Sequence, residues 1–290
     1  MRLYFLLARR EPPVPSPLLV EVAGRLRARG FEVESGTPEE MLVEGDRLAT
    51  SHDLYVLKSH TELALSLAAS LHAQGARIVN PVPACAAAHD KVLAVQRLRT
   101  SGVPVPRTYV TGDVRRIREL LEECGPLVVK PLRGYRGVGV HLVRSPHDLA
   151  ALPPLDSPVM VQDLIAGPGE DLKVYVVGTQ VWAVHKPFAP GSFSAAGRPA
   201  PVAPEVEAIA LRAGAACGLG LFGIDVIESP DGPVVVDLNA FPGYKGCEGV
   251  ADPMTAYIAD YAENRRELPL PPLGPVPDAA PLTAVLPPAV

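Results

Sequence analysis

The 290-residue sequence predicts an α/β fold, with a parallel-sheet lobe first and two α+β lobes after it. Three observations lead there. Over residues 1–85, short β-branched runs alternate with helical patterns, the arrangement of βα units in a parallel sheet. From about Ala86 the pattern changes, and strands are joined through glycine turns with helices between them. Further on, two β-branched runs flank Ser229-Pro230-Asp231-Gly232-Pro233, which reads as a β-hairpin with polar side chains on one face.

Each element follows from local signals. Arg2–Ala8 is predicted as a buried strand and Ser16–Arg29 as an amphipathic helix ending at Gly30. Phe31–Glu34 and Asp53–Lys58 follow as strands, Glu62–Gln74 as an Ala/Leu-rich helix stopped by Gly75, and Ala76–Val79 as a fourth strand. A helix over His89–Thr100 ends at Ser101-Gly102, and Thr108–Val110 forms a strand. Helix Val114–Cys124 leads to strand Leu127–Lys130, a glycine-rich loop, strand Gly139–Val143 and a helix starting near Ser145. Val159–Leu164 is a strand, and Leu172–Val177 with Gln180–His185 makes a hairpin around Gly178-Thr179. Helix Pro204–Cys217 precedes the polar hairpin, and Thr255–Glu263 closes the ordered fold. Eight prolines between Pro269 and Pro288 mark an extended or disordered tail. The expected divisions are 1–85, 86–160, 161–265 and the tail 266–290.

Composition narrows the function. A hydrophobic content of 48% with 20% charged residues describes a packed globular protein. A net charge of −5 argues against general nucleic-acid binding. The apolar run at the N-terminus is too short for a signal-peptide core, and no stretch approaches the roughly 20 residues of a membrane span. Cys85, Cys124, Cys217 and Cys247 are scattered without a Cys-x-x-Cys pair, as expected of reduced thiols in a cytoplasmic protein.

The polar hairpin carries the chemistry. A turn centred near Asp231 places Asp225 and Asp237 opposite each other, with Cβ atoms about 4.5–5.5 Å apart. Asn239, two residues on, points to the same face. Carboxylates that close repel unless a cation lies between them, and hard oxygen donors select Mg²⁺ or Mn²⁺. Upstream, Lys130 ends a strand and is followed by a loop containing Arg133, Gly134, Arg136, Gly137 and Gly139. Glycines let backbone N–H groups approach an anion, and a lysine supplies charge to phosphate oxygens. The lysine precedes the glycines, so this is not a Walker A loop.

The ordered set resembles the ATP-grasp superfamily: Lys91 opening a helix, Lys130 before the loop, Val161-Gln162-Asp163-Leu164 as a hinge strand, and Asp225 with Asp237-x-Asn239. The resemblance extends to about residue 264 and implies an ATP-grasp fold behind a Rossmann-like first lobe, with ATP clamped between two α+β lobes. It implies that Lys91 and Lys130 touch the phosphates and that the Gly134–Gly139 loop closes over them. Gln162, Asp163 and Leu164 would hold adenine, and Asp171 would face the ribose. Asp225, Asp237 and Asn239 would hold the metal, two ions in all. The second metal carboxylate is often glutamate in the superfamily, and Asp237 is one methylene shorter.

Two branches share these features. Gly102–Thr108, the Gly134–Val140 loop and Gly246-Cys-Glu-Gly-Val250 resemble RimK-type carboxylate–amine ligases. Leu221–Ile227, Asp237–Tyr244 and Leu172–Gly178 with Lys186-Pro187 resemble inositol trisphosphate 5/6-kinases. The acceptor pocket is expected from Lys58, His60, Arg133, Arg136, Lys173, His185, Lys186, Ser192, Ser194, Arg198 and Lys245, a cationic set suited to a small anionic substrate. Arg133, Lys173, Lys186 and Arg198 would stabilise an acyl phosphate in a ligase. The ligase is the preferred reading and the kinase the alternative; a nucleotide-binding regulator without turnover is the third.

Overall fold

A computed structural model describes residues 1–10, 13–134, 137–188 and 195–279. The first sheet contains β1 (Arg2–Leu7), β2 (Glu32–Gly36), β3 (Leu54–Lys58) and β4 (Ile78–Val79), all parallel, in the order β2-β1-β3-β4. Alternate residues of its strands face opposite sides. Leu3, Phe5, Leu54 and Val56 meet Val22 and Leu26 of α1 (Pro17–Ala28). Leu6, Tyr55 and Leu57 meet Ala64, Ala68 and Leu71 of α2 (Glu62–Ala73) on the other side.

Next come α3 (Val82–His89) and α4 (Lys91–Thr100), where a single helix over His89–Thr100 is expected. Asp90 is the break between them. Its backbone is extended, and its carboxylate accepts from Val92 N–H at 3.0 Å and Leu93 N–H at 3.1 Å. A side chain that satisfies the first free N–H groups of a helix starts one, so Lys91 becomes the first residue of α4.

The second sheet contains β5 (Thr108–Thr111), β6 (Leu127–Pro131), β7 (His141–Val143) and β8 (Val159–Asp163), antiparallel in the order β5-β8-β6-β7. Against it pack α5 (Val114–Cys124), through Ile117 and Leu121, and α6 (Pro146–Ala150), through Leu149. Their core includes Leu127, Val129, Val143, Val159 and Val161, and its buried residues all come from this stretch of chain.

The third sheet contains β9 (Glu170–Val177), β10 (Gln180–Pro187), β11 (Arg198–Ala200), β12 (Leu221–Ser229) and β13 (Gly232–Ala240), antiparallel in the order β11-β10-β9-β12-β13. One face rests on α7 (Pro204–Cys217) together with α3 and α4. The other meets α8 (Ala251–Ala262), whose Met254, Tyr257 and Ile258 share one core with the α1 side of the first sheet. First and third sheets are therefore packed as one body, while the second has its own core. Asn80, fully buried, ties the joint: its Oδ1 accepts from Gly220 and Leu221 N–H at 3.0 Å each, and its Nδ2 donates to Leu221 O at 2.7 Å.

The sheets divide the chain differently from the expected limits at three points. Helix α4 packs on α7 rather than on the second sheet, because Ala94 and Leu98 fill the core beneath β9 and β12. All of β8 pairs within the second sheet, so a limit at 160/161 would cut a strand. The start of the tail is docked, not disordered: Leu268 and Leu270 pack on the cores, and buried Arg97 donates to Pro271 O at 2.8 Å. Residues 280–290 lie outside the described residues.

Candidate active site

The opposed aspartates are present, and a bulge produces them. The hairpin turn pairs Ser229 with Gly232 and Val226 with Val235, a register that would set Asp225 against Val236. Between Asp225 and Val226 the register shifts by one residue, so Asp225 faces Asp237 after all. An inserted residue is left unpaired and bends the strand. Val236 is that residue, and its carbonyl accepts from Lys130 Nζ at 3.0 Å. A buried lysine on the second sheet thus caps the distortion on the third that aligns the carboxylates.

Lysines already neutralise both carboxylates. Lys91 Nζ lies 2.6 Å from Asp237 Oδ1, and Lys173 Nζ lies 2.5 Å from Asp225 Oδ2 and 2.6 Å from Asp171 Oδ2. Asn239 Nδ2 donates to Asp237 Oδ2 at 3.4 Å, leaving its carbonyl oxygen for another partner. Burial alone would raise the pKa of Asp237, but Lys91 and Lys130 reverse this and hold it below the ordinary carboxylate value. Burial raises Asp225, and Lys173 offsets only part of that. Burial opposes the charge on Lys173, yet Asp225 and Asp171 outweigh it and keep the ammonium form. Lys130, with no carboxylate bonded to it, is pushed down by burial.

Among the described residues no group of three His, Cys, Asp or Glu side chains is arranged to hold a metal. The donor set here is two aspartates and one asparagine, all hard oxygen ligands, and it fits Mg²⁺ by its chemistry. A cation entering between Asp225 and Asp237 would replace the two ammonium groups as the balancing charge.

The second sheet faces this centre with Lys130, Met160 and Gln162, which share one side because Lys130 pairs with Met160 and β8 alternates. Gln162 is 1% exposed; its Nε2 donates to Thr108 Oγ1 at 3.0 Å, and its Oε1 is buried without a partner among the described residues. A buried orphan acceptor on the cleft side fits a donor on a bound base. The Asp163 side chain projects to the other side of β8, and the N–H groups of Asp163 and Leu164 are taken by Arg107 O and Pro126 O at 3.2 and 3.0 Å. A ligand there would meet the carbonyls of the hinge, not those N–H groups. Gly134 lines the cleft beside Lys91, and the turn after it has Gly137 and Gly139 at φ +72° and +73°.

Residues of the expected acceptor pocket divide between two faces of the third sheet. Lys186 pairs with Asp171, which sets it on the side of Lys173 and Asp225. It is 3% exposed and donates to Ala195 O at 2.7 Å; burial, with help from Lys173 and Lys245, lowers its pKa. Close approach of chain segments makes this nook: Gly246, at φ +87°, lies so near Ala196 O that a Cβ would overlap it. Lys58 Nζ sits 5.2 Å above the Phe241 ring at the hairpin exit. Arg198 is a correction. It pairs with His185 and faces the opposite side, where it bonds Glu170 at 2.9 Å while His185 bonds Glu228 at 2.8 Å. Register alone decides this, since one step along a strand exchanges faces. Arg136, Ser192 and Ser194 fall outside the described residues.

His89, not singled out by sequence, lines the same cleft as Lys91 and Asn239. Burial, then Arg133 and Lys91, depress its pKa and keep the imidazole neutral. Its sole sequence signal was adjacency to the Asp90 cap. Cys85 also lines the cleft, but burial pushes its thiol up to about 12, which leaves it unreactive.

The profile of the RimK-like ATP-grasp domain matches residues 88–257, which include every residue of this centre from Lys91 to Asn239. The chain belongs to the RimK-like ATP-grasp family. A probable α-L-glutamate ligase 2 of Shewanella frigidimarina is 34% identical over 209 residues, covering 66% of this chain and 70% of that one. A probable α-L-glutamate ligase of Saccharophagus degradans is 32% identical over 205 residues, covering 65% and 68%. Among solved structures, a RimK domain ATP-grasp protein of Sphaerobacter thermophilus superposes with a TM-score of 0.73 at 24% identity, covering 91% of this chain and 100% of that one. The ATP-grasp ligase PsnB, solved with a minimal precursor, Mg and ADP, gives 0.65 at 23% identity over 90% and 97%. Members of this RimK-like family carry out ATP-dependent ligation, and the fold is that of ATP-grasp proteins. The inositol phosphate alternative finds no support among these relatives. No helix among the described residues is long and apolar enough to cross a membrane.

Proposed function

We propose that this protein is an ATP-dependent carboxylate–amine ligase that joins an amino acid to the carboxylate of an acidic amino acid or peptide through an acyl phosphate. The observation that carries the reading is the facing pair Asp225 and Asp237, ringed by Lys91, Lys130 and Lys173 from two separately packed bodies. The names of the curated relatives support glutamate as the amino acid.

Asp225, Asp237 and Asn239 would hold Mg²⁺, with two ions expected, and the metal supplies neutralisation of phosphate charge when bound. Lys91 and Lys130 bind phosphate oxygens, which frees Asp237 and the Val236 carbonyl from their present partners. Gln162 orients the adenine through its orphan acceptor, and the Gly134–Gly139 loop shields the phosphates from water. Lys173, Lys186 and Arg133 balance the charge of the acyl phosphate, and Lys58 and Lys245 border the acceptor side. Asp171 acts by fixing Lys173; a ribose contact would require it to release that ammonium.

Substrate carboxylate oxygen attacks the γ-phosphorus and ADP leaves. The amine nitrogen then bonds to the acyl carbon, phosphate departs with the C–O electron pair, and the amine proton passes to water or a neutral base such as His89. Positioning and charge account for the rate, with no protein nucleophile. Four free cysteines fit a reducing compartment, so we place the protein in the cytoplasm.

The test combines ATP, L-glutamate and a glutamate-terminated peptide, with mass analysis of the products. The expected result is a peptide heavier by one glutamyl residue, with ADP and phosphate released. A peptide that gains a phosphate as final product, without condensation, would overturn the ligase reading.

A further inference from the structure

Two lysines share the face of the third sheet that carries Asp225, and their charges are balanced differently. Lys173 lies between Asp171 and Asp225 and bonds both. Lys186 is 3% exposed, and among the described residues no carboxylate bonds it; its Nζ donates to the neutral carbonyl of Ala195 at 2.7 Å. Burial, then Lys173 and Lys245, oppose its charge. A buried ammonium with a neutral acceptor and cations for neighbours is poorly compensated. An anionic oxygen offers it a Coulomb attraction that a carbonyl lacks.

Three small residues, Ala195–Gly197, form a strap over this lysine. A Cβ on Gly197, at φ +81°, would lie 3.0 Å from Lys186 Cγ and 3.1 Å from Cε, so the strap follows the lysine stem. On its other side Gly246 approaches Ala196 O more closely than a residue with a Cβ could. Of the two touching segments, the one leading to Gly246 is fixed. Its Phe241 and Tyr244 are buried at φ +44° and +51°, and Tyr244 Oη donates to Val176 O at 2.7 Å. Bulky residues hold such angles only where packing over-determines them. The strap buries no side chain, since Ala195 and Ala196 are exposed. Its tethers are the Lys186 bond and, just beyond Gly197, the pairing of Arg198 with His185.

We infer that Ala195–Gly197 is an inhibitory strap, which occupies Lys186 in the free protein and is displaced when an anionic oxygen of the acidic substrate takes the ammonium. This rests on the ligase reading and adds to it the order of events at Lys186: the cation is withheld until an anion arrives to claim it. No proton moves. The ammonium exchanges Ala195 O for a carboxylate or acyl phosphate oxygen, and Gly197, already in the left-handed region, is the point about which the strap swings.

Gly246→Ala sets a Cβ where Ala196 O now lies and pushes the strap off Lys186. Steady-state amide formation with ATP, L-glutamate and a glutamate-terminated peptide reads the effect. The KM for the peptide should fall about three- to tenfold, because less of the protein is held closed, while the KM for ATP stays within about twofold of wild type. In a Lys186→Met background the strap has no ammonium to hold, so Gly246→Ala should no longer lower the peptide KM. A raised or unchanged peptide KM in Gly246→Ala, or the same fall with and without Lys186, makes the strap a fixed wall and overturns its inhibitory role. A crystal structure of the wild-type chain with Mg²⁺, ADP and the peptide tests the same point independently of how the variants fold. Lys186 Nζ should have left Ala195 O for an oxygen of the peptide; a retained Lys186–Ala195 bond with peptide bound overturns the strap and leaves the ligase standing. Absence of amide in the wild type strikes at the ligase reading itself.

Discussion

Replacing Lys130 by methionine isolates the part played by the buried lysine. Lys130 is 9% exposed, its pKa is lowered by burial, and its Nζ is bonded to the Val236 carbonyl at 3.0 Å. Methionine has nearly the same length, so the change removes charge and donor but little volume. Folding loses one charge-assisted hydrogen bond, worth about 1.5–3 kcal/mol, and is relieved of a desolvated charge that costs several kcal/mol before compensation. The two oppose each other, so stability should move by no more than about 1 kcal/mol in either direction. Nucleotide binding has no such compensation. A lost ammonium–phosphate contact in a partly dry cleft costs about 1.5–3 kcal/mol, or about 10- to 150-fold in Kd. Calorimetric titration with a non-hydrolysable ATP analogue, beside a urea denaturation curve, reads both quantities. Near-wild-type affinity in a normally folded K130M would refute the phosphate role. A loss of several kcal/mol in stability would instead make Lys130 a structural cap for the bulge.

Asp237→Asn keeps the shape of the bulged strand but removes the charge opposite Lys91, and should abolish turnover while the far-ultraviolet spectrum is retained; normal turnover in added Mg²⁺ would end its assignment as a ligand. Gly137→Pro cannot adopt φ +72° and should impair turnover more than ATP affinity, which single-turnover kinetics beside equilibrium binding can separate. Asn80→Ala leaves two buried N–H groups unpaired and should cost about 2–4 kcal/mol of stability in chemical denaturation. The His89 pKa lies below its ordinary 6.5, so between those two values the unfolded chain binds the extra proton and stability rises with pH. His89→Gln should flatten that slope relative to wild type, and parallel stability curves in the same window would contradict the burial of a neutral imidazole.

Much of this protein is written locally. Alternation of β-branched and polar residues places the β12–β13 hairpin, and the residue types within it announce a site for hard cations, since two facing aspartates on an apolar hairpin have few other uses. Helix α5 runs from the Asp113 cap to Gly125, and α7 from a proline in its first turn to Gly218. Other features depend on contacts between distant parts of the chain. The turn lies half a residue from where the pattern centres it, and the alignment of Asp225 with Asp237 depends on a bulge whose carbonyl is capped from another sheet. No periodicity reports such a shift, because an inserted residue changes register without changing composition. Arg198 illustrates the same point: its charge marks it as a pocket residue, but pairing with His185 turns it to the far face. The fusion of the first and third sheets through α1 and α8, and the neutral His89 in the cleft between them, arise from packing across more than 150 residues of sequence. Sequence by itself determines which side chains are available and the period on which they repeat. Tertiary structure decides which of them share a space, because burial, register and charge pairing are properties of neighbours that the chain brings together only when folded.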